Sequence, residues 1–345
     1  MTCFTGEVLS ELDRRIAAAL QINGRAPWRV VAAAAGSTES TVARRAARLM
    51  DAGQLRVAGM VDPIRCGFGR TVFCQVSCEP GASDEVASRL AALPQVRLVI
   101  TVTGTFDAIV ELVAPSRAEL AHLLLQDVQR VPGVRAVASA LVTRKFKVSY
   151  DWGRGLLGDA ASLVPAPELS ADNPGQPVSL DETDLEIIAA LRGNGRASSA
   201  EIAAAADIGE PTAHRRLNRL IREGCVICGA LVAPESMGFE AELFCWLRVD
   251  AAGLSRAVAA LRARPEVRYL AATAGFADLA CELILPSFDD VYVFTSEVLH
   301  EIPGLRIETS VELRAMKRGF FPAAQLPADG GAAAASPPET DGIHA

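Results

Sequence analysis

The sequence predicts an α+β protein built from two tandem copies of one unit, each a winged-type helix-turn-helix followed by a ferredoxin-like βαββαβ domain. Three observations point there. The 345-residue chain aligns with itself at an offset of 171 residues, fixed by the word Asn-Gly-Arg-Ala at 23–26 and again at 194–197. Within each copy the apolar residues first recur every three or four positions, as on one face of a helix. They then alternate, as on a strand with one buried side. The self-alignment runs without a gap over most of each copy: Asp13 falls on Asp184, Arg44-Arg45 on Arg215-Arg216, Gly53 on Gly224, Phe73-Cys74 on Phe244-Cys245, and Asp107 on Asp278. A repeat of about 140 residues is a duplicated unit, not a solenoid array.

Leu9, Leu12, Ile16 and Leu20 mark the first helical face, which runs into Asn23-Gly24. Asn-Gly alone signals a hairpin. Between two helical patterns, however, Gly24 and Gly195 are expected to end the first helix of each copy in a left-handed cap, with Arg25 and Arg196 near free helix-end carbonyls. A second helix is expected over 28–36 and a third over 39–53, with Val42, Ala46, Leu49 and Met50 turned inward, Thr38 as N-cap and Gly53 as the stop. The second copy repeats the plan, with Gly209 at the cap position and Pro211 in the first turn, where its missing N–H costs nothing. Three short helices with a tight turn before the third read as a helix-turn-helix.

Strands over 71–79, 96–103, 107–114 and 134–147, with helices over 83–93 and 116–131, give the order βαββαβ. Helices cover one face of such a sheet. The other face is also apolar here, and the second copy is its expected cover, since a bare apolar sheet face is an aggregation hazard. The expected domains are helix-turn-helix 9–58, ferredoxin-like domain 70–148, linker 151–179, helix-turn-helix 180–229, ferredoxin-like domain 241–319 and a disordered tail 322–345. The linker is rich in Gly, Pro, Ser and Asp, and the tail is of low complexity.

Composition narrows the function. Half the residues are apolar and 22% are charged, as in globular domains. There is no uninterrupted apolar run of about 18 residues and no basic-then-apolar start, so a cytoplasmic protein with no membrane partner is expected. Eight scattered cysteines read as reduced thiols. Cys225-Val-Ile-Cys228 lacks a second ligand pair, and His122, His214, His300 and His344 show no metal spacing. Nor is there a nucleophile elbow, a phosphate loop or a dinucleotide fingerprint. No catalytic residue, metal or cofactor is therefore assigned. The net charge of −7 does not describe any one helix face.

The third helix of the second copy carries Arg215, Arg219 and Arg222 at i, i+4 and i+7, with His214 and Asn218 beside them. The first copy is sparser, with Arg44, Arg45 and Arg48. Such a stripe suits duplex DNA, because a helix fits the major groove while guanidinium groups reach phosphates and guanine edges. A solvated charged face is the plainer alternative. Between strands, "TGTFD" (103–107) and "AGFAD" (274–278) repeat a Gly-x-x-Asp pattern. Its aspartate could pair with a ligand ammonium group, and the same residues are equally ordinary turn formers.

"LDETDLEIIAALRGNGRASSAEIAAAADIGEPTAHRRLNRLIREG" (180–224), its weaker twin at 9–53, and the "GTFD" and "GFAD" loops resemble the leucine-responsive/asparagine-regulator (Lrp/AsnC, feast/famine) family of transcription regulators. The resemblance covers about 9–147 and 180–318. It implies a sequence-specific regulator of double-stranded DNA, modulated by an amino acid or related small molecule, with effector sheets paired face to face and assembly into oligomers. DNA contacts are implied at Thr38, Thr41, Arg44, Arg45, Arg48, Thr212, His214, Arg215, Arg216 and Arg219. Effector contacts are implied at Gly104, Asp107, Gly275 and Asp278.

Family members usually carry one unit, so this chain is expected to imitate the family's dimer within one polypeptide. Siroheme decarboxylases resemble the same unit and also occur as two-unit fusions. They carry an Arg-His segment before the "GF" pair, whereas "VDPIRCGF" and "LVAPESMGF" here hold no histidine. An effector-sensing scaffold whose helix-turn-helix domains bind protein is the third alternative, in keeping with the acidic net charge.

Overall fold

The computed structural model describes residues 8–148, 151–166, 177–302, 304–319 and 321–322. The first copy opens with α1 (Glu11–Ile22), α2 (Trp28–Ala35) and α3 (Glu39–Asp51), then β1 (Arg56–Val61). Its sheet domain runs β2 (Arg70–Cys78), α4 (Ser83–Ala92), β3 (Val96–Val102), β4 (Ala108–Ala114), α5 (Arg117–His122, continued as a π-helical turn to Val128) and β5 (Val134–Val148). The second copy repeats this as α6 (Glu182–Gly193), α7 (Ser199–Ala205), α8 (Glu210–Arg222), β6 (Val226–Leu231), β7 (Ala241–Arg248), α9 (Leu254–Ala263), β8 (Val267–Ala274), β9 (Leu279–Leu285), α10 (Asp289–Glu301) and β10 (Arg306–Arg318). A short β11 (Phe321–Pro322) follows. The period-two pattern thus located the four sheet strands of the first copy to within a residue or two.

The caps explain the helix ends. Thr38 accepts the Thr41 N–H at the start of α3, while Gly209 gives α8 no side-chain cap. Gly53 and Gly224 take φ of +66° and +70°, the left-handed stop expected of them.

The two sheets do more than face each other. They exchange edges, in the order β10-β3-β4-β2-β5-β8-β9-β7, and β7 pairs with β10 to close the ring. At one seam β5 pairs antiparallel with β8; at the other β10 pairs with β3. Closure removes the open edges that a stack of two sheets would keep. The apolar inner faces meet as expected, in a core of Phe73, Leu98, Ile100, Ile109, Phe244 and Trp246. Phe73 lies edge-on to Phe244 and Tyr269, with centroids 5.4 and 5.6 Å apart, a geometry worth about 0.5–1.5 kcal/mol per pair beyond burial. The outer faces are covered by each copy's own helices.

The tethers after the helical domains are exchanged as well. β1 and β6 form a two-stranded antiparallel ribbon, Arg56 opposite Leu231 and Val61 opposite Val226. The expected wing is therefore not a hairpin within one copy; each copy supplies one strand. Ala230, Val232 and Met237 of the second copy pack into the first helical core, and Val61 and Cys66 of the first pack into the second. The boundaries at 58 and 229 accordingly cut through a shared ribbon.

The linker expectation is corrected in part. Trp152–Leu163 forms 3-10 turns, broken at Gly158, that bury Leu157 and Ala161 against α1 and α2. The Gly153 N–H donates to Gln21 Oε1 at 3.0 Å, and Arg15 donates to the carbonyls of Leu156, Ala34 and Ala35. The apolar pair Leu156-Leu157 flanked by Trp152 is the reason: composition read as a spacer, but these side chains fill the first helical core. The rest of the linker, 167–176, and the tail from 323 lie outside the described residues. The seven described cysteines are free and buried, and burial pushes the Cys74 thiol up to about 12 and the Cys228 thiol up to about 11.

Candidate nucleic-acid interface

The third helix of each copy presents two different arginine populations. Asp13 of α1 and Asp184 of α6 are buried, 3% and 1% exposed. Asp13 accepts Arg45 Nη1 at 3.1 Å and Arg48 Nη2 at 2.8 Å. Asp184 accepts Arg216 Nη1 at 2.9 Å and, in a short contact, Arg219 Nη2. Arg216 also donates to Asp181 at 2.7 Å, which holds that carboxyl below its usual range. A buried carboxylate needs charged partners. These arginines supply them and brace the third helix against the first.

Arg45, Arg48, Arg216 and Arg219, expected on the DNA-facing side, each also pair with a carboxylate of their own domain, while Arg48 stays exposed and Arg216 and Arg219 still border the outer groove. The signal lay in the repeat, where an Asp at 13 and 184 recurs in the first turn of an otherwise apolar face. Asp184→Ala should destabilise the second helical domain by roughly 1–2 kcal/mol, less than for a fully buried pair because the freed guanidinium groups stay solvated. Thermal unfolding of the variant checks this.

The remaining expected residues are free to contact a ligand. Arg44, His214 and Arg215 are exposed, with Thr41 and Thr212 half-buried in the first turns. In the second copy His214, Arg215, Asn218 and Arg222 line one open groove with the outer edges of Arg216 and Arg219. His214 Nε2 lies 2.9 Å from Asn218 Nδ2, and its Nδ1 lies 3.3 Å from Ser199 Oγ, so imidazole and amide are held side by side.

The repeated Asn-Gly-Arg-Ala words meet across the two copies. Arg25 Nη1 donates to the carbonyls of Gly195 and Ala197 at 2.8 and 2.9 Å, and Arg196 Nη1 donates to those of Gly24 and Ala26 at 2.5 and 3.2 Å. The Gly24 N–H donates to Cys228 O on the second tether, and the Gly195 N–H to Val57 O on the first, both at 2.8 Å. Arg196 also stacks on Trp28, 4.0 Å from the ring centroid. Neither glycine adopts positive φ, so the left-handed cap is corrected. Glycine is required because a Cβ at 195 would sit 2.8–3.0 Å from the Ala58 backbone, and one at 24 would sit 2.9 Å from that of Cys228. The arginines do satisfy carbonyls, as expected, but those of the opposite copy.

The Gly-x-x-Asp loops lie at different seams of the barrel and do not form one site. Asp107 accepts the Cys78 N–H at 2.7 Å and the Ser83 hydroxyl at 3.2 Å; Asp278 accepts the Val249 N–H at 2.9 Å. Each carboxylate thus holds its own copy's turn between first strand and first helix. Gly104 lies against β10, with Ser310 Oγ 3.3 Å from where its Cβ would be, and Gly275 lies against Ser139 and Ala140 of β5. Asp107→Ala should cost about 1–3 kcal/mol, the penalty for orphaned donors, seen as a lower unfolding midpoint.

Paired helix-turn-helix domains carried on a shared βαββαβ barrel suit the class of DNA-binding transcription regulators, and the sequence relatives show that class. The chain matches the models of the Lrp/AsnC ligand binding domain over residues 71–152 and 242–320, winged helix-turn-helix DNA-binding over 180–227, and the AsnC-type helix-turn-helix domain over 9–50. It is 31% identical over 144 residues to an uncharacterized HTH-type transcriptional regulator of Pyrococcus furiosus, spanning 41% of this chain and 97% of that one. It is likewise 31% identical to the HTH-type transcriptional regulator FL11 of Pyrococcus horikoshii, over 40% of this chain and 92% of the relative. The crystal structure of the siroheme decarboxylase NirDL has the same overall fold, with a TM-score of 0.59, 15% identity and coverage of 90% of this chain and 93% of that one. The chain belongs to the Lrp/AsnC family. The two Pyrococcus relatives each match about one unit's length, whereas this chain carries two ligand-binding segments. Among the described residues no helix is long and apolar enough to cross a membrane.

Proposed function

We propose that this regulator acts as a dimer imitated within one polypeptide, two tandem helix-turn-helix units on one closed barrel, gripping double-stranded DNA in the cytoplasm without catalysing a reaction. The observation that carries the reading is the β1–β6 ribbon clasped by the two Asn-Gly-Arg-Ala words, which ties both helical domains into one body. Thr38, Thr41 and Arg44 on one side, and Thr212, His214, Arg215, Asn218 and Arg222 on the other, are the groups offered to DNA. Arg45, Arg48, Arg216 and Arg219 support the helices that carry them.

A small-molecule effector, an amino acid or a relative of one, is proposed beside the Gly104–Asp107 and Gly275–Asp278 loops. At these loops each copy abuts the other, so that a ligand there could shift the seams. Further assembly of whole chains through their sheet domains is part of the same reading.

Binding of the purified chain to its own upstream DNA across a salt series tests the regulator, with an absorbance scan for bound tetrapyrrole alongside. The expected result is sequence preference with affinity falling steeply with salt, the signature of counterions displaced by phosphate contacts. Arg215→Ala should weaken binding about 5- to 150-fold, the value of one good base contact. Salt-insensitive binding, or a tetrapyrrole band without DNA binding, sinks the proposal in favour of the enzyme fold it shares.

A further inference from the structure

The two recognition helices are braced identically but equipped differently. Both keep the buried Asp with two arginines on it, and both keep the exposed arginine at 44 and 215. What differs is the outer edge. Where α8 presents His214, Asn218 and Arg222, α3 has Ala43, Ala47 and Asp51 at the corresponding positions. Ala47, Asp51, His214, Asn218 and Arg222 are exposed, so this edge has no part in either core.

The chemistry of the replaced groups is that of base reading. A guanidinium suits guanine O6 and N7, and a side-chain amide suits adenine N6 and N7. Asn218 gives one amide contact to His214, leaving its carbonyl oxygen and its second N–H for a base edge. An alanine edge offers neither donor nor acceptor, and Asp51 puts a negative charge where Arg222 puts a positive one, facing the phosphates.

Resting on the DNA-binding reading above, we infer that the chain reads base sequence through α8 alone. In this arrangement α3, with Arg44, grips backbone and sets spacing. The DNA site under one chain is then asymmetric: one half carries sequence determinants, and the other is constrained only in distance and charge. The ribbon and clasp hold the silent helix in register with the reading one.

The test uses the full chain and a duplex spanning its protected upstream region. Each half of the footprint is scrambled in turn, and affinity is read by fluorescence anisotropy at fixed salt. Scrambling the half under α8 should lower affinity at least 10-fold, since several mismatched pairs each cost severalfold. Scrambling the half under α3 should change it less than about threefold, within the sequence-independent backbone term. The triple variant Ala43→His, Ala47→Asn, Asp51→Arg alters only exposed or half-buried positions and should make the silent half sequence-sensitive. His214→Ala with Asn218→Ala should flatten the sensitive one, and circular dichroism confirms that both variants remain folded.

Equal sensitivity of both halves in the wild-type chain overturns this inference while leaving the regulator intact. Absence of any salt-dependent DNA binding overturns both.

Discussion

Arg268→Ala should unfold the barrel more readily than any surface substitution, by about 3–5 kcal/mol, the cost of leaving buried carboxylates without their cation. Its side chain is 9% exposed and sits among three glutamates: Glu282 in a short contact, Glu242 at 2.8 Å and Glu312 at 3.7 Å. Arg318 joins them, donating to Glu282 and Glu312 at 2.6 Å each. Three carboxyls share two guanidinium groups in this largely buried cluster, one cation short of balance, which favours a proton on the least exposed carboxyl. That carboxyl is Glu312, whose side chain is 4% exposed: burial, aided by the neighbouring Glu282, lifts it to about 8. Glu282 goes the other way; burial opposes its charge, but Arg268 and Arg318 hold it ionised well below its usual range.

The two shifts act on stability in opposite pH windows. Glu312, raised when folded, contributes stability that is present below its ordinary value of 4.5 and is lost as pH rises toward 8. Glu282, lowered when folded, contributes stability present above 4.5 and lost on acidification. A single-proton difference gives a slope approaching about 1.4 kcal/mol per pH unit. Between pH 6 and 8.5 the melting temperature of the wild-type chain should therefore fall, and Glu312→Gln, which keeps a neutral hydrogen-bonding side chain, should remove most of that fall. An unchanged slope in the glutamine variant, measured by calorimetry across the range, would show that another group holds the proton. The first copy has no such cluster: the corresponding residues are Arg97, paired with Glu111 at 3.1 Å, then Thr71, Leu141 and Lys147.

How much of this was legible in the sequence depends on whether an interaction is local. Helices, caps and strands follow from periodicity and from Thr38, Gly53 and Pro211, because the forces that set them act within a few residues. Pairing of the inner sheet faces was legible too, since an apolar face must be covered. Edge exchange was not: β5 against β8 and β5 against a solvent edge have the same side-chain pattern, and only closure decides between them. The arginine stripe was legible as one face, but i, i+4 spacing tells only which residues share a face, not that Asp184 lies beneath half of it. Trp152 and Leu157 misled, as apolar residues too few to read as an element yet enough to complete a core supplied from elsewhere in the chain. Of the charges seen inside the barrel, Glu111 and Glu282 follow alternation, sharing the inward side with Ile109 and Ala280, but Arg97 and Arg268 sit at irregularities of β3 and β8 that break it, so the sequence pattern alone places them outward.

Breaking the clasp should separate DNA binding from folding. The two Asn-Gly-Arg-Ala loops exchange four charge-assisted hydrogen bonds and two backbone ones, all between copies and none within a sheet domain. Arg25→Ala with Arg196→Ala removes the four guanidinium contacts and the stacking on Trp28, at about 1.5–3 kcal/mol for each charged bond left unmade in part-buried surroundings, discounted where water enters. Gly195→Ala acts by sterics instead, since its methyl meets three backbone atoms of Ala58 within 3.0 Å, and such overpacking costs about 1–3 kcal/mol.

In either variant the barrel is untouched, because its seams are held by β5–β8 and β10–β3. The expected outcome is a lower first unfolding transition with an unchanged second one, and hydrogen exchange that accelerates in β1 and β6 but not in β2 or β7. DNA affinity should fall at least 10-fold, because two helices that must be fixed relative to each other on binding no longer start so. If the variants lose stability uniformly across both layers, the clasp is one more core contact; if they bind DNA as the wild-type chain does, the pairing of the helical domains is set by the β1–β6 ribbon alone.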